Sequence, residues 1–278
     1  MKQLTFDEAW APPRRVDVAS YDIVLLNTSG GKDSQTMPVQ MLNNAKAAGV
    51  ADRLIAVHCD LGRVEWPGTK ELAQRQADLL GIPFFVVRRT GGDLLDYVEH
   101  RGQWPSSMAR YCTSDFKRGP VRKLMTQLVA TRWAKGEPPV RILNCLGLRA
   151  DESPARAKRE PFRFDERASN GKRHVDEYLP IHDWSEPQVW AHIFESKLPY
   201  HRAYDLGMPR LSCILCVLAP RDGLLLAGMH NPEILAEYAA VERRIQHKFR
   251  VNQSLVEIQS ALAAGERPRQ QIAWARCA

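Results

Sequence analysis

Apolar runs alternate with amphipathic stretches along the first half of the chain. Short apolar runs, each of the length of a buried strand, occupy residues 21–27, 54–58, 84–88 and 140–147. Helical patterns lie between them, the first running to about residue 48 and the others covering residues 70–80 and 116–135. This alternation predicts parallel strands joined by crossover helices, and hence an α/β fold with a doubly wound, mainly parallel sheet.

The same pattern predicts how the chain is organised. Residues 1–20 are polar and contain prolines, so we expect an N-terminal arm there. Residues 21–220 carry the strand and helix alternation and form the predicted main domain. The pattern after residue 185 is mainly helical, and no flexible linker interrupts it. We therefore expect residues 221–278 to be a helical C-terminal extension packed on the same domain.

Polar segments follow three of the predicted strands directly. They occupy residues 29–34, 58–62 and 147–153. Because ligands of doubly wound sheets bind at the carboxyl ends of the strands, we expect the three segments to meet at one site.

The first of these segments has the features of an anion-binding loop. Gly30 and Gly31 lie between a strand and a helix, where the lack of a Cβ lets backbone N–H groups approach an anion. Ser29 and Ser34 add hydroxyl groups, Lys32 adds a positive charge, and the following helix N-terminus favours anions. We call residues 29–34 the phosphate loop.

Composition and charge narrow the class of protein. The chain has 278 residues, of which 44% are hydrophobic and 26% are charged, as in ordinary folded proteins. No apolar stretch is long enough to cross a membrane, and the first residues lack an apolar signal region, so we expect a cytoplasmic protein without a membrane partner. The formal net charge of +7 favours anionic partners such as nucleotides or nucleic acid.

Six cysteines are too few and too scattered to predict a disulfide framework in a cytoplasmic chain. Cys213 and Cys216 form a C-x-x-C, and Cys112 lies far upstream. Metal binding, redox chemistry and plain packing all remain open for these three thiols. Cys59 and Cys145 lie near strand ends, where small apolar core residues are common.

The phosphate loop does not have Walker A spacing, and its Ser-Gly-Gly-Lys-Asp-Ser sequence resembles the PP-loop of the ATP pyrophosphatase (adenine nucleotide alpha hydrolase) superfamily. Further motifs resemble the PAPS (phosphoadenylyl sulfate) reductase family, and the resemblance covers about residues 21–220. These motifs are His58–Gly62, Gly147–Ser153, Pro180–Ser185, Leu198–His201 and Tyr204–Gly207, which leads into Cys213–Cys216.

The resemblance implies an enzyme that cleaves ATP, as its Mg²⁺ complex, between the α and β phosphates. The implied catalytic residues are Lys32, Asp33, Asp60 and Arg149. The implied ATP-binding residues are Ser29, Gly30, Gly31, Lys32, Asp33, Ser34, His58 and Gly147. Asp60 would hold Mg²⁺ or a ribose hydroxyl, or would simply cap the strand end. Arg149 suits a phosphate, because a guanidinium can donate two parallel hydrogen bonds.

An iron–sulfur branch of this family has two adjacent cysteines near the position of Cys112, but the neighbour here is Thr113. Cys112, Cys213 and Cys216 could still hold a [4Fe–4S] cluster with one open iron, or with Cys145 or Cys59 as a fourth ligand. Structural zinc, or a redox or inert C-x-x-C, are the alternatives.

The residues at the end of the chain help to decide which of two branches of the family it resembles. Sulfate-assimilating reductases carry a catalytic cysteine within Glu-Cys-Gly-Leu-His, whereas this chain ends Ala275-Arg-Cys-Ala278. A second branch, the DNA phosphorothioation proteins of the Dnd and Ssp systems, inserts sulfur supplied by a cysteine desulfurase. Residues 149–173, with eight Lys or Arg against five Asp or Glu, suit a polyanion such as DNA.

We therefore expect an ATP pyrophosphatase and sulfurtransferase of DNA phosphorothioation, working with a cysteine desulfurase and other modification-system proteins. The alternatives are a phosphoadenylyl or adenylyl sulfate reductase and a tRNA-thiolating enzyme. A non-catalytic nucleotide-binding module would need a degenerate phosphate loop, and this loop is intact. The oligomeric state stays open, with a homodimer as one alternative.

Overall fold

The computed structural model describes residues 16–269 and is built around a six-stranded sheet. The strands are β1 (Ile23–Thr28), β2 (Leu54–Asp60), β3 (Phe84–Arg88), β4 (Val140–Leu146), β5 (Phe162–Phe164) and β6 (Arg173–Tyr178). Their order in the sheet is β3-β2-β1-β4-β6-β5. All neighbouring strands are parallel except β5, which runs antiparallel to β6.

Helices connect the strands and form most of the second half of the chain. They are α1 (Lys32–Ala47), α2 (Thr69–Leu80), α3 (Leu94–Arg101), α4 (Tyr111–Thr113), α5 (Gly119–Ala130), α6 (Pro154–Ala157), α7 (Glu186–Ser196), α8 (Arg221–His230), α9 (Pro232–Ile245) and α10 (Leu255–Ala263). A π-helical stretch, Ser114–Arg118, joins α4 to α5.

The sheet is covered by helices on both faces, which confirms the predicted doubly wound α/β fold. On one face, Met37 and Met41 of α1 pack against the buried Val24 and Leu26 of β1. On the other face, α5 packs against the intervening residues of β1, such as Leu25. A strand buried on both faces is apolar throughout, which is why β1 is a continuous apolar run in the sequence.

The strand order reverses at β1, because β2 lies on one side of it and β4 on the other. The connections from β1 and from β4 therefore leave the sheet in opposite directions, and a crevice opens between the carboxyl ends of these two strands. The phosphate loop follows β1, and the segment beginning at Gly147 follows β4, so both lie at this crevice.

A separate apolar core holds the C-terminal helices in place. Leu224 and Leu225 of α8, Tyr238 of α9 and Ile258 of α10 are all buried in it. The same cluster includes Trp66, which follows β2, so these helices pack on the loops beside the sheet.

The structure corrects some of the elements predicted from the sequence, and other predicted features lie outside the described residues. The pattern missed α3, β5 and β6, and the helix predicted over 116–135 ends at Ala130. Most of the predicted N-terminal arm, together with Cys277, lies outside the described residues. Within residues 16–269, none of the helices has the length and apolar character that a bilayer crossing needs.

Candidate active site

The phosphate loop makes a tight turn between β1 and α1. Gly30 has a φ of +68°, in the left-handed region that favours glycine, and a Cβ at this residue would lie 3.1 Å from the Thr69 carbonyl oxygen. The hydroxyl of Ser34 accepts a hydrogen bond from the Ser29 backbone N–H (3.0 Å) and donates one to the Gly31 carbonyl (2.9 Å). The loop is therefore held in shape by its own residues and directs the N-terminus of α1 into the crevice.

Lys32, the first residue of α1, is only 2% exposed. Its ammonium group donates a hydrogen bond to the Pro209 carbonyl (3.2 Å) and lies 3.6 Å from an Asp33 oxygen and 3.7 Å from a Glu186 oxygen. A charged ammonium is buried favourably only when such acceptors surround it. Lys32 is thus held at the base of the crevice, pointing at the space beside the phosphate loop.

A segment from the second half of the chain covers the phosphate loop. The Tyr204 hydroxyl accepts a hydrogen bond from the Lys32 backbone N–H at 2.8 Å. The side chain of Leu211 lies against the loop, 3.4 Å from where a Cβ of Gly31 would be. We call residues 204–211 the covering segment. It occupies backbone and side-chain groups of the loop that an anion would otherwise contact.

Arg149 joins the segment after β4 to the phosphate loop. It is 1% exposed, and its Nε lies 2.5 Å from Asp33 Oδ1. Its Nη1 donates to Asp151 (3.1 Å) and to the Trp184 carbonyl (3.1 Å). Burial opposes the charge on Arg149, but the carboxylates of Asp33, Asp151 and Glu186 together outweigh burial and raise the pKa of the guanidinium. Arg149 is therefore a fixed cation beside the loop, as the sequence suggested.

Gly147 is the point of closest approach between the two strand ends. A Cβ at this residue would lie 2.6 Å from the Asp33 carbonyl oxygen and 3.0 Å from the Ser34 backbone nitrogen. Only glycine lets β4 and the start of α1 pack this closely. Gly147 therefore belongs to the site by shaping the phosphate loop, and its expected contact with ATP stays a prediction.

Gly147→Ala is expected to lower the free energy of unfolding by about 1–3 kcal/mol, because the added methyl group overlaps backbone atoms that cannot move independently. Gly171→Ala is the matched control, since a Cβ there meets nothing within 4 Å and its φ is not in the left-handed region. Urea denaturation of both variants measures the difference. Equal stability of the two would contradict the close approach described here.

His58 and Asp60, two more expected site residues, are engaged with neighbouring protein groups. His58 is 1% exposed, and its ring nitrogens lie 3.3 Å from the Thr28 carbonyl and 3.2 Å from the Glu65 carboxylate. An Asp60 carboxylate oxygen accepts from the Gly62 backbone N–H at 2.8 Å, which caps the end of β2. His58 thus supports the strand end beneath the loop, and the expected roles of His58 toward ATP and of Asp60 toward Mg²⁺ or a ribose hydroxyl stay predictions.

Cys112, Cys213 and Cys216 lie in one neighbourhood, although they come from distant parts of the chain. Cys213 pairs with Glu65 in an isolated antiparallel bridge, which fixes the C-x-x-C beside the turn after β2. Burial raises the pKa of the Cys213 thiol to about 12, Lys117 opposes this shift, and Cys216 and Cys112 add to it. Cys213 is therefore a neutral thiol at neutral pH in this arrangement.

The thiols are not arranged as a metal site. Within residues 16–269, no three His, Cys, Asp or Glu side chains are placed to hold a metal ion, so Cys112, Cys213 and Cys216 do not form the expected ligand set. The expected fourth ligand, Cys145, is wrong for a geometric reason. It is fully buried in the core between β1 and α1, and burial raises the pKa of its thiol.

The alternative fourth thiol, Cys59, lies on the side of the sheet that faces the other cysteines. Lys117 and Glu65 influence the pKa of Cys59 as well as that of Cys213, so the two thiols share neighbours. Burial raises the pKa of Cys59 to about 11. Its side chain contacts the Lys117 carbonyl at 3.7 Å.

The basic segment 149–173 does not form one surface. Arg173 is 7% exposed and donates hydrogen bonds to the Ala168 carbonyl (2.6 Å) and the Thr126 hydroxyl (2.7 Å). The ammonium group of Lys172 lies 5.1 Å from the centre of the Trp133 ring. Both residues lie at the amino end of β6. Because β6 runs parallel to β4, this end lies opposite the carboxyl ends of the strands, where the crevice opens. They are therefore not part of a polyanion surface at the site.

Sequence reasoning did not identify two residues of this site. Tyr204 lies within a family-like motif, but its contact with the Lys32 backbone depends on packing across 172 positions of the chain. Glu186 begins α7 in a capping box headed by Ser185, and nothing in that local pattern predicts its contact with Lys32.

The chain matches one family model and several curated proteins. The family model described as the phosphoadenosine phosphosulfate reductase domain matches residues 23–219. An adenosine 5'-phosphosulfate reductase of Allochromatium vinosum is 30% identical over 54% of this chain and 57% of its own length. An uncharacterized 37.8 kDa protein of Escherichia phage 186 is 27% identical over 62% of this chain and 49% of its own length.

Among solved structures, the phosphoadenylyl-sulfate reductase of Candida auris aligns with a TM-score of 0.47 and 19% identity, covering 70% of this chain and 83% of its own. The matched region spans about half the length of the curated relatives. The family match nevertheless covers well over half of this chain, from the start of β1 to just beyond the C-x-x-C. The chain belongs to the phosphoadenosine phosphosulfate reductase domain family.

Proposed function

We propose that this protein is an ATP pyrophosphatase that adenylates a substrate oxygen for sulfur insertion, and that the acceptor is a phosphate of the DNA backbone. The observation that carries the proposal is the intact phosphate loop, with Lys32 buried at its end and Arg149 fixed beside it. These are the groups that a leaving pyrophosphate needs, because cations held beside the reacting atoms stabilise developing negative charge. ATP enters as its Mg²⁺ complex, so the metal ion is part of the substrate.

In the first step, a non-bridging oxygen of the acceptor phosphate attacks the α-phosphorus of ATP. The new O–P bond forms while the bond between the α-phosphorus and its bridging oxygen breaks, and pyrophosphate leaves with the electron pair. Lys32 and the loop N–H groups hold the departing charge, and Arg149 lies beside the reacting phosphate. Asp33 keeps Arg149 in place, so its role is positioning.

In the second step, sulfur replaces the activated oxygen. A hydrosulfide ion attacks the acceptor phosphorus, the P–S bond forms, and the P–O bond to AMP breaks so that AMP leaves with the electron pair. Hydrosulfide carries sulfur in the oxidation state of the product, so the step needs no electron transfer. A cysteine desulfurase with a thiol reductant would supply the hydrosulfide near Cys112 and Cys213.

ATP must displace the covering segment to reach the loop, since the Tyr204 hydroxyl accepts the hydrogen bond of the Lys32 backbone N–H. Tyr204→Phe is therefore expected to tighten ATP binding by about threefold to tenfold, the effect of removing one competing hydrogen bond. Isothermal titration with a non-hydrolysable ATP analogue measures this. Tyr21→Phe is the control, because its hydroxyl bonds to Asp176, away from the phosphate loop and the covering segment. Unchanged or weaker binding in Tyr204→Phe would show that ATP does not compete with this hydroxyl.

Adenylyl sulfate reduction is the second candidate, and the named reductases among the relatives favour it. The two functions differ in their products. We would incubate the protein with MgATP, sodium hydrosulfide and a DNA duplex, digest the DNA and search for phosphorothioate dinucleotides by mass spectrometry. A parallel reaction with adenylyl sulfate and a thiol reductant would measure sulfite. Phosphorothioate without sulfite supports the proposal, and sulfite without phosphorothioate contradicts it.

A further inference from the structure

Three separate segments each bring an arginine to the rim of the crevice. Arg110 directly precedes α4, which carries Cys112. Arg156 lies on α6, seven residues after Arg149. Arg210 belongs to the covering segment and lies three residues before Cys213. Arg156 follows the segment of Arg149, which contacts the phosphate loop through Asp33. Arg110 and Arg210 lie in the segments that carry Cys112 and Cys213.

One carboxylate holds two of these arginines together. Glu152 forms an ion pair with Arg156, and its other oxygen lies 3.8 Å from the Nε of Arg210. Glu152 is buried, with only 8% of its side chain exposed, whereas 49% of the Arg210 side chain is exposed. The same carboxylate accepts from the Arg149 backbone N–H at 3.1 Å, which anchors the group to the active site.

Positive charge is in excess at this position. Burial, together with Arg210, Arg110 and Arg159 and against the opposing effect of Asp33, lowers the pKa of Arg156 to about 10. Arg159 is itself paired with Glu177, whereas Arg156 and Arg210 share the carboxylate of Glu152 and Arg110 lies near enough to Arg156 to repel it. Guanidinium groups that repel one another are stabilised by an anion that bridges them.

The position of the group indicates which anion this is. Arg210 follows Pro209, whose carbonyl accepts the hydrogen bond of the Lys32 ammonium. Arg110 lies two residues before Cys112, and Arg210 lies three residues before Cys213. The arginines are therefore tied both to a partner of Lys32 and to the segments that carry the thiols, where an acceptor must meet both activated phosphate and sulfur.

We propose that Arg110, Arg156 and Arg210 form a second anion site, separate from the phosphate loop, that binds a phosphate of the acceptor's phosphodiester backbone. The inference rests on the proposed function and names the surface by which that function selects its substrate. The chemistry that the site recognises is the oxyanion of a phosphate or sulfate ester. A nucleic-acid strand and a nucleotide sulfate are the two sources of such a group, and the experiment below separates them.

The test uses the whole chain and the double variant Arg110→Ala/Arg210→Ala, which leaves the phosphate loop unchanged. Arg132→Ala/Lys135→Ala removes the same charge from two exposed residues before β4, at the far edge of the sheet. Fluorescence anisotropy with a labelled DNA duplex would be measured from 50 to 200 mM salt, together with ATP binding. Circular dichroism checks the fold, and the two single variants serve if the double variant does not fold.

We expect the arginine variant to bind DNA at least tenfold more weakly at 0.1 M salt, and its slope of log affinity against log salt to fall by about two. ATP should bind at least as tightly as to the wild-type protein, because Arg210 lies in the covering segment that ATP displaces and does not hold ATP itself. The far-edge control should bind DNA and ATP like the wild-type protein. Wild-type DNA affinity in the arginine variant would overturn the proposal. If adenylyl sulfate binding depends on the arginines while DNA does not bind the wild-type protein, the site stands and its anion is the sulfate ester.

The outcome is independent of the test of ATP cleavage. An arginine-dependent anion site in a protein that forms no AMP from ATP would contradict the proposed function and leave the site intact. Normal AMP formation with no arginine-dependent binding of either anion would overturn the site alone.

Discussion

Replacing Lys32 with alanine is expected to lower the rate of AMP formation from ATP by about 100-fold to 1,000-fold, the loss typical of removing one preorganised group that stabilises developing charge. Lys32 is only 2% exposed and lies at the base of the crevice, and its ammonium exchanges the Pro209 carbonyl for the leaving pyrophosphate when ATP displaces the covering segment. Steady-state kinetics with chromatographic separation of AMP and ADP measures the effect. The loss should appear mainly in kcat.

Lys46→Ala is the matched control for this variant, because Lys46 is an exposed lysine near the other end of α1. Its substitution removes the same charge from the same helix and should leave the rate unchanged. Circular dichroism and a thermal melt show whether Lys32→Ala keeps the fold. A folded Lys32→Ala protein with the wild-type rate would show that the phosphate loop is not the catalytic loop.

The largest effect on stability is expected from Arg149→Ala, which should lower the free energy of unfolding by about 3–5 kcal/mol. The substitution removes the 2.5 Å contact of Asp33, whose side chain is only 13% exposed, and leaves it with the more distant Lys32 ammonium at 3.6 Å. It also removes the hydrogen bond to the Trp184 carbonyl, which ties the start of α7 to the segment after β4. Urea denaturation measures the change.

A second substitution tests the reason for that loss. Asp33→Asn removes the charge that Arg149→Ala would leave buried, so the double variant should be more stable than Arg149→Ala alone. A double-mutant cycle in urea gives the coupling between the two residues, which we expect to exceed about 1 kcal/mol. Additive effects would show that the 2.5 Å contact between Arg149 and Asp33 contributes nothing specific to stability.

The central strands and the phosphate loop were predictable because their signals are local. β1 is an uninterrupted apolar run, and the glycines and lysine that follow it are adjacent in sequence. Parallel pairing then places the end of β4 beside the end of β1, so Arg149 was correctly placed at the loop before the structure was known. The local pattern and the rule for parallel strands together were sufficient to predict that Arg149 lies beside the phosphate loop.

The hydrophobic pattern did not predict β6, because the carboxylates that are buried in this strand give it a polar sequence. Asp176 accepts a hydrogen bond from the Tyr21 hydroxyl at 2.8 Å, and Glu177 accepts from Arg163 at 3.0 Å. Such partners become visible only when the chain has folded, since Tyr21 is 155 positions away from Asp176. The error in treating residues 149–173 as one basic surface has the same origin, because that segment contains this unrecognised hairpin.

The covering segment and the choice of a fourth thiol could not be predicted for a related reason. Pro209 and Leu211 contact the phosphate loop through packing that no local periodicity encodes. Cys59 and Cys145 both lie near strand ends in the sequence, but their side chains belong to opposite faces of the sheet. Only the strand register decides which of them points into the core with α1.

The central claim is that this protein splits ATP between the α and β phosphates. The most direct measurement is to incubate the purified protein with Mg²⁺ and ATP labelled at the α-phosphate, with and without a DNA duplex, and to separate the labelled products. We predict labelled AMP, with pyrophosphate as the second product, and a faster reaction when DNA is present. Labelled ADP with free phosphate, and no AMP under either condition, would contradict the account.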